Sequence, residues 1–138
     1  MRGKALFTAV EYRASAELPD PEYPLLLSTG RTLYHYNAAT QTRREAGPQS
    51  KQPAAFIQIH PRDARQLGIV EGSQVQVTSR RGRVWVVARL TRSVRKGCVW
   101  MPLHFAEARA NLLTNAAGDT VTGTAEYKVC AVRVEAVG

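Results

Sequence analysis

The chain has 138 residues, 44% hydrophobic and 22% charged, which is enough for one globular domain, short for two, and unlike a disordered chain. Nineteen Lys and Arg against eleven Asp and Glu give a net charge of +8, which suits phosphate-bearing partners or an acidic protein surface. The sequence shows no signal peptide, no apolar run of membrane-spanning length and no metal-binding pattern of Cys or His. We therefore expect a cytoplasmic protein without membrane contact or a metal site of its own, any targeting signal lying outside this chain.

Residues 1–22 are predicted to form an N-terminal arm, and residues 23–138 the globular domain. The arm contains one short apolar run at 5–10 and then a polar, proline-bearing approach at 19–21. This composition is typical of a linker, and we expect it to arrive from an upstream domain that is absent from the chain.

The first predicted strand and the loop that follows it contain the first group of candidate binding residues. The continuous apolar composition of residues 24–28 predicts a strand buried on both faces. Residues 31–54 are irregular and long for a connection inside a domain, which favours a functional loop. We expect one short helix within it, around residues 33–40.

A short strand at 56–59 is followed by the clearest helix signal of the chain, at residues 60–68. Pro61 suits the first helical position, where its missing N–H costs nothing, and Gly68 suits the left-handed residue after the last turn. We expect His60 to cap this helix and to have no role in binding.

The remaining predicted elements are strands with little helix between them. The β-branched runs 74–79 and 83–91 flank the basic turn 80–82 and predict a hairpin, and further strands are predicted at 98–101 and 129–134. Six or seven short strands favour a barrel or a sandwich. Cys98 and Cys130 lie in apolar runs and are predicted to be buried thiols, and the basic turns are predicted to be mostly solvated surface.

Two separated stretches carry the candidate binding residues, and each is an apolar strand that stops at a polar turn. Such strand ends present backbone N–H groups and short polar side chains to a bound group. Arg provides a planar fork with permanent charge, Thr a hydroxyl, and the Asn amide both donates and accepts. The first stretch provides Thr29, Gly30, Arg31, His35, Asn37 and Thr42, and the second provides His104, Phe105, Asn111, Tyr127 and Lys128.

Ordinary structural roles compete with binding at most of these positions. Gly30 suits a strand-end turn, Arg31 a surface charge and Asn111 a helix cap. His104 and Phe105 suit core packing, while Lys128 suits the solvent side of a strand. The combination of both stretches favours the binding role.

The order and spacing of these residues resemble the C-terminal, pterin-dinucleotide-binding domain of molybdenum and tungsten oxidoreductases, most closely the formate dehydrogenase alpha subunit. The resemblance implies a mainly β fold, a six- or seven-stranded double-psi β-barrel with one or two short helices and a long N-terminal arm. It implies that the chain binds the molybdopterin guanine dinucleotide tails of a bis-dinucleotide cofactor, with molybdenum or tungsten carried by the rest of the enzyme. Arg31 and His35 would then lie near the pterin, and Lys128 near the pterin or a phosphate.

The implied partners are the cofactor and the remaining domains of the oxidoreductase catalytic subunit. The chain has no Ser/His/Asp arrangement, no paired carboxylates and no metal-ligating Cys, so we expect no catalytic residue here and no activity of the chain alone. Two alternatives are a stand-alone barrel subunit that acts in trans and a basic nucleic-acid-binding barrel. The aromatic residues share no register with Lys and Arg, which disfavours nucleic acid as a partner.

Overall fold

The computed structural model describes residues 3–138, which form six strands, two α-helices and three single turns of 3-10 helix. The strands and α-helices in chain order are β1 (Leu25–Gly30), α1 (Ala46–Lys51), β2 (Phe56–Ile59), α2 (Pro61–Gln66), β3 (Gln74–Thr78), β4 (Arg83–Leu90), β5 (Cys98–Pro102) and β6 (Cys130–Ala136). The 3-10 turns are Thr42–Arg44, Ala106–Ala108 and Ala110–Leu112. No helix in the described part of the chain is long and apolar enough to cross a membrane.

The strands close into a barrel with the order β1-β5-β2-β4-β3-β6. The β1–β5 and β2–β4 pairs are parallel, and the four other pairs are antiparallel. This closed, mixed six-stranded barrel confirms the double-psi β-barrel expected from the sequence. Because closure pairs each strand on both sides, the small sheet has no open edge at which another chain could add a strand.

The barrel interior holds one apolar core, which the alternation of side chains along the strands produces. In the β3–β4 hairpin Val75, Val77, Val84 and Val86 are buried, while Trp85 between them is 48% exposed. Burying a valine of this kind stabilises the fold by about 1.5–3 kcal/mol. The prediction that the first strand is buried on both faces is wrong for the same reason. Residues 26 and 28 of β1 are only half-buried, because a single-layered barrel wall has an outer face.

The strand pairing defines two barrel ends. Gly30 pairs with Pro102 where the parallel strands β1 and β5 both finish, and β6 begins beside them at Cys130. We call this the site end. Ile59 pairs with Leu90 where β2 and β4 finish, at the opposite end, which we call the far end.

The helix predicted after β2 is confirmed, with its caps. The His60 ring Nδ1 accepts a hydrogen bond from the Arg62 backbone N–H at 3.2 Å, and Pro61 occupies the first turn. Gly68 follows the helix with φ of +67°, a conformation that glycine adopts without strain. The Asp63 carboxylate accepts from the Gly97 N–H at 2.8 Å and so ties the helix to the start of β5.

Two other expectations are wrong. Residues 31–41 form no helix, because Asn37 and Ala39 adopt φ of 48° and 59°, which an α-helix cannot accommodate. The helical turns come later, in the 3-10 turn and in α1. Cys130 is buried as predicted, but Cys98 is only half-buried, because it begins a strand at the rim of the barrel.

Within the predicted N-terminal arm, residues 3–22 form no helix or strand, and large apolar side chains such as Phe7 are almost fully exposed. The end of the arm that approaches the barrel is fixed by Glu17. Its carboxylate pairs with Arg81 at 2.6 Å and with Arg80 at 3.1 Å, and it accepts from the Ala131 N–H at 3.0 Å. The pKa of Glu17 is lowered, because these hydrogen bonds and positive charges outweigh the opposing effect of burial.

Candidate functional site

The two stretches that carry the candidate residues lie side by side at the site end. Their strands, β1 and β5, are parallel neighbours, and the Leu103 backbone N–H donates to the Gly30 carbonyl at 3.0 Å just beyond the last pair. Arg31 and His104 therefore leave the barrel from the same rim. The chain thus forms one polar surface from segments about 70 residues apart.

A network of hydrogen bonds centred on His35 holds the first loop. The buried His35 ring approaches the Gln52 carbonyl with Nε2 at 2.7 Å, and only an N–H can form that bond. The other ring nitrogen, Nδ1, forms a hydrogen bond with the Thr42 hydroxyl at 3.1 Å. The Thr42 oxygen also accepts from the Tyr36 N–H at 3.3 Å. The hydroxyl of Thr42, one of the candidate binding residues, is therefore used to hold the loop.

His104 lies against this network and is only 4% exposed. Its Nε2 forms a hydrogen bond with the Thr32 hydroxyl at 3.1 Å. The centroid of its ring lies 5.2 Å from that of the His35 ring and 4.9 Å from that of the Phe105 ring. Burial, followed by the charges of His35 and Arg43, lowers the pKa of His104 from 6.5 to about 4, although the nearby backbone of Asn37 opposes the shift. The ring is therefore neutral at physiological pH.

A cavity of about 330 Å³ opens beside His104, and Gln49, Arg43, Arg44 and Thr40 also line it. His104 Nδ1 and Gln49 Oε1 are buried and have no hydrogen-bond partner within residues 3–138. Arg43 forms a bidentate pair with Glu107 at 2.7 and 3.0 Å. Buried polar atoms are normally paired, and Gln49 Oε1 can only accept, so these atoms favour a polar group that can donate a hydrogen bond.

Sequence reasoning missed Gln49 and Arg44 as site residues. Both lie beyond the last motif residue in the first loop, in the polar segment around α1 that carries no recognisable pattern. Only the folding of that segment back against His104 brings them to the cavity. The available signal was the unusual length of the loop.

Thr29 and Lys128 meet although 99 residues separate them. The Lys128 ammonium donates to the Thr29 carbonyl at 2.9 Å, and the Thr29 hydroxyl donates to the Tyr127 carbonyl at 2.7 Å. The cause is the antiparallel register, which pairs Leu27 with Cys130 and places the residues before β6 beside the end of β1. Lys128 is exposed and keeps two N–H groups for another acceptor.

Gly30 is required by the chain itself. A Cβ atom at this position would lie 2.7 Å from the indole Nε1 of Trp100 on the neighbouring strand. The structure shows that a side chain of β5 already occupies that space.

Three candidates, Arg31, Asn37 and Asn111, are exposed, and their side chains form no hydrogen bond within residues 3–138. Asn111 lies apart from the others, on a 3-10 turn that packs against the β3–β4 turn. There Arg81 donates to the Leu113 carbonyl at 3.0 Å. The β3–β4 turn belongs to the site end, because β3 runs antiparallel to β6.

The chain is similar to known proteins over most of its length. Residues 25–131 match the family model of the molydopterin dinucleotide binding domain. The chain is 49% identical over 135 residues to F420-dependent formate dehydrogenase 2 subunit alpha of Methanococcus maripaludis, covering 98% of this chain and 20% of that protein. It is 46% identical over 137 residues to a nitrate reductase of Symbiobacterium thermophilum, covering 96% of this chain and 18% of that protein.

Among solved structures, the chain is similar to acetylene hydratase from Pelobacter acetylenicus. The TM-score is 0.72 at 16% identity, over 83% of this chain and 18% of that one. This similarity concerns the fold. The chain spans about a fifth of the length of the curated relatives named above.

Proposed function

The chain belongs to the molydopterin dinucleotide binding domain family, and from this premise we propose that its site end holds a molybdopterin guanine dinucleotide. The observation that carries the proposal is the convergence of the two polar loops. The loop after β1, the loop after β5 and the segment before β6 are joined by hydrogen bonds into one surface. A long, polar ligand with several recognition points requires a surface assembled in this way.

The side chains at the site end match the parts of such a ligand. Arg31 and Lys128 are exposed cations suited to the diphosphate. Asn37 and Asn111 offer amides that donate and accept at once, as a guanine or pterin edge requires. The cofactor, when bound, supplies the redox chemistry at its metal, while the protein supplies binding and orientation.

The remaining predicted residues support this surface from within. Thr29, His35 and Thr42 use their polar atoms on the chain itself, and Phe105 is buried beside the two histidines. His104 contributes a buried, neutral ring at the edge of the cavity, and its Nδ1 has no hydrogen-bond partner within residues 3–138. A neutral ring forms a directed hydrogen bond with a ligand without adding a charge that burial would penalise.

We also propose that the whole protein is a formate dehydrogenase-like oxidoreductase of which this chain is the C-terminal domain. The relative at 49% identity, a formate dehydrogenase subunit, supports formate as the substrate, whereas the relative at 46%, a nitrate reductase, makes nitrate the competing substrate. The other domains of the catalytic subunit then complete the active site. The chain alone is expected to be inactive, since no catalytic residue is assigned to it.

The first test measures what the complete protein contains when it is isolated from its source. Acid releases the nucleotide for quantification of GMP, and molybdenum and tungsten are determined on the same sample. Two guanine nucleotides per metal ion are expected for a bis-dinucleotide cofactor. A protein without nucleotide and metal would contradict the proposal.

Variants of the complete protein test the residues. Lys128→Ala removes a cation of the site end, and Lys96→Ala is the matched control because Lys96 is an exposed cation of the far end. We expect lower GMP and metal content only in the Lys128 variant. Equal cofactor content in both variants would refute the role of Lys128, and formate and nitrate turnover in the loaded protein would then decide the substrate.

A further inference from the structure

The far end of the barrel carries a second, strongly basic cavity of about 590 Å³. It lies between the start of α2 and the loop that connects β4 to β5. The residues that line it are His60, Pro61, Arg62, Arg65, Arg92 and Lys96. We call it the far-end cavity.

The four cations of the far-end cavity, on α2 and the β4–β5 loop, have no carboxylate partner within residues 3–138. The ion pairs in that part of the chain involve only arginines 43, 80, 81 and 133. The nearby acidic residues are already used by backbone N–H groups: Asp63 accepts from Gly97, and Glu71 accepts from Leu90. Like charges held together without partners repel one another, so the cluster favours an external anion.

Two backbone N–H groups beside the far-end cavity already have partners within the chain. Phosphate sites commonly use free backbone N–H groups, and here the Arg62 N–H donates to His60 and the Gly97 N–H donates to Asp63. No Phe, Tyr or Trp lines the cavity to stack a nucleic-acid base. What remains is a spread of long, exposed cationic side chains, which suits carboxylates distributed along a polypeptide.

We propose that the far-end cavity is a docking site for an acidic segment of a partner polypeptide. The strand directions place it at the opposite end of the barrel from the residues proposed to hold the cofactor. The partner and the cofactor can therefore bind at the same time. The docking site does not depend on the proposed cofactor, because no residue is shared between the two surfaces.

The test uses the complete protein and a fluorescent oligoglutamate peptide as the acidic probe, with binding followed by anisotropy. The variant Arg62→Glu with Arg92→Glu reverses two cations of the cavity. The matched control, Lys51→Glu with Arg109→Glu, makes the same change in net charge at exposed, unpaired positions outside it. A third variant, Arg62→Gln with Arg92→Gln, removes charge without adding repulsion.

The unmodified protein is expected to bind the peptide, and binding is expected to weaken as salt screens the charges. The affinity of the Glu variant of the cavity for the peptide should fall about tenfold or more, equivalent to about 1.4 kcal/mol. The affinity of the Gln variant should lie between those of the parent and the Glu variant, and that of the control should stay within about twofold of the parent. Equal losses in the cavity variant and the control would overturn the proposal. Tighter competition by tripolyphosphate or duplex DNA, compared at equal charge, would overturn it in favour of a phosphate ligand.

Discussion

His104 makes the stability of this domain depend on pH between about 6.5 and 4. The ordinary pKa of histidine is 6.5, and the pKa of His104 in the folded chain is about 4. Between these two values the unfolded chain binds a proton that the folded chain does not. Lowering the pH through 6.5 therefore stabilises the unfolded state, and the loss is complete once the pH falls below the folded pKa.

The magnitude follows from the two pKa values. At pH 7 the ring is neutral in both the folded and the unfolded chain, so its titration changes the free energy of unfolding by almost nothing. At pH 5 nearly every unfolded chain is protonated at this position, and the folded state loses about 2 kcal/mol relative to pH 7. The limit below pH 4 is about 3 kcal/mol, since one pKa unit corresponds to about 1.4 kcal/mol.

The assay is urea unfolding at pH 7 and at pH 5, compared between the parent chain and His104→Gln. Glutamine is neutral at both pH values and can still reach the Thr32 hydroxyl that His104 Nε2 contacts. The two proteins differ at this one position, so the comparison isolates the contribution of His104, including its interaction with His35. We expect the parent to lose about 2 kcal/mol more than the variant. Equal losses would refute the argument that His104 is buried in its neutral form.

Two further substitutions test the barrel and the arm. Gly30→Ala should lower the free energy of unfolding in urea by about 1–3 kcal/mol, because the new methyl group overlaps the Trp100 indole. Gly47→Ala is the control, since a methyl group there has open space and should not lower the stability. Equal urea midpoints for the two variants would contradict this reasoning. Glu17→Gln should lower the free energy of unfolding by about 1–2 kcal/mol, because its bonds to Arg81 are weakened, and should speed amide exchange in the N-terminal arm. Because the pKa of Glu17 is lowered in the folded chain, the difference in stability between parent and variant should shrink as the pH falls below about 4.5. Unchanged exchange would show that the arm is held elsewhere.

Local patterns were sufficient to predict most of the elements of this fold. Alternating β-branched residues predicted the β3–β4 hairpin, and Pro61 and Gly68 predicted both ends of α2. The strand order did not follow from those patterns, because β1 pairs with β5 and β6 across most of the chain. The resemblance to a known family supplied it. The failed helix prediction has a local cause, since nothing in the sequence signals the positive φ of Ala39.

The candidate site was predictable in composition but not in the role of each residue. A polar side chain at a strand end can bind a ligand or satisfy a buried group of its own chain, and the sequence does not distinguish the two. The structure does so for Thr42, whose hydroxyl lies between the His35 ring and the Tyr36 N–H. It also adds Gln49, which only the folded loop brings to His104.

These two roles lead to different expectations for the proposed cofactor surface. Thr42 and His35 hold the loop, so their loss should reduce stability and cofactor retention together, because the surface itself changes shape. The side chains of Arg31 and Asn37 are exposed and bond nothing within residues 3–138, so Arg31→Ala and Asn37→Gly, which keeps the φ of 48° unstrained, should leave unfolding unchanged. Any reduction in cofactor content that these exposed residues cause is then direct evidence of contact. Exposure combined with position at the site end, rather than residue type alone, is therefore the better guide to the ligand-facing side chains of this barrel.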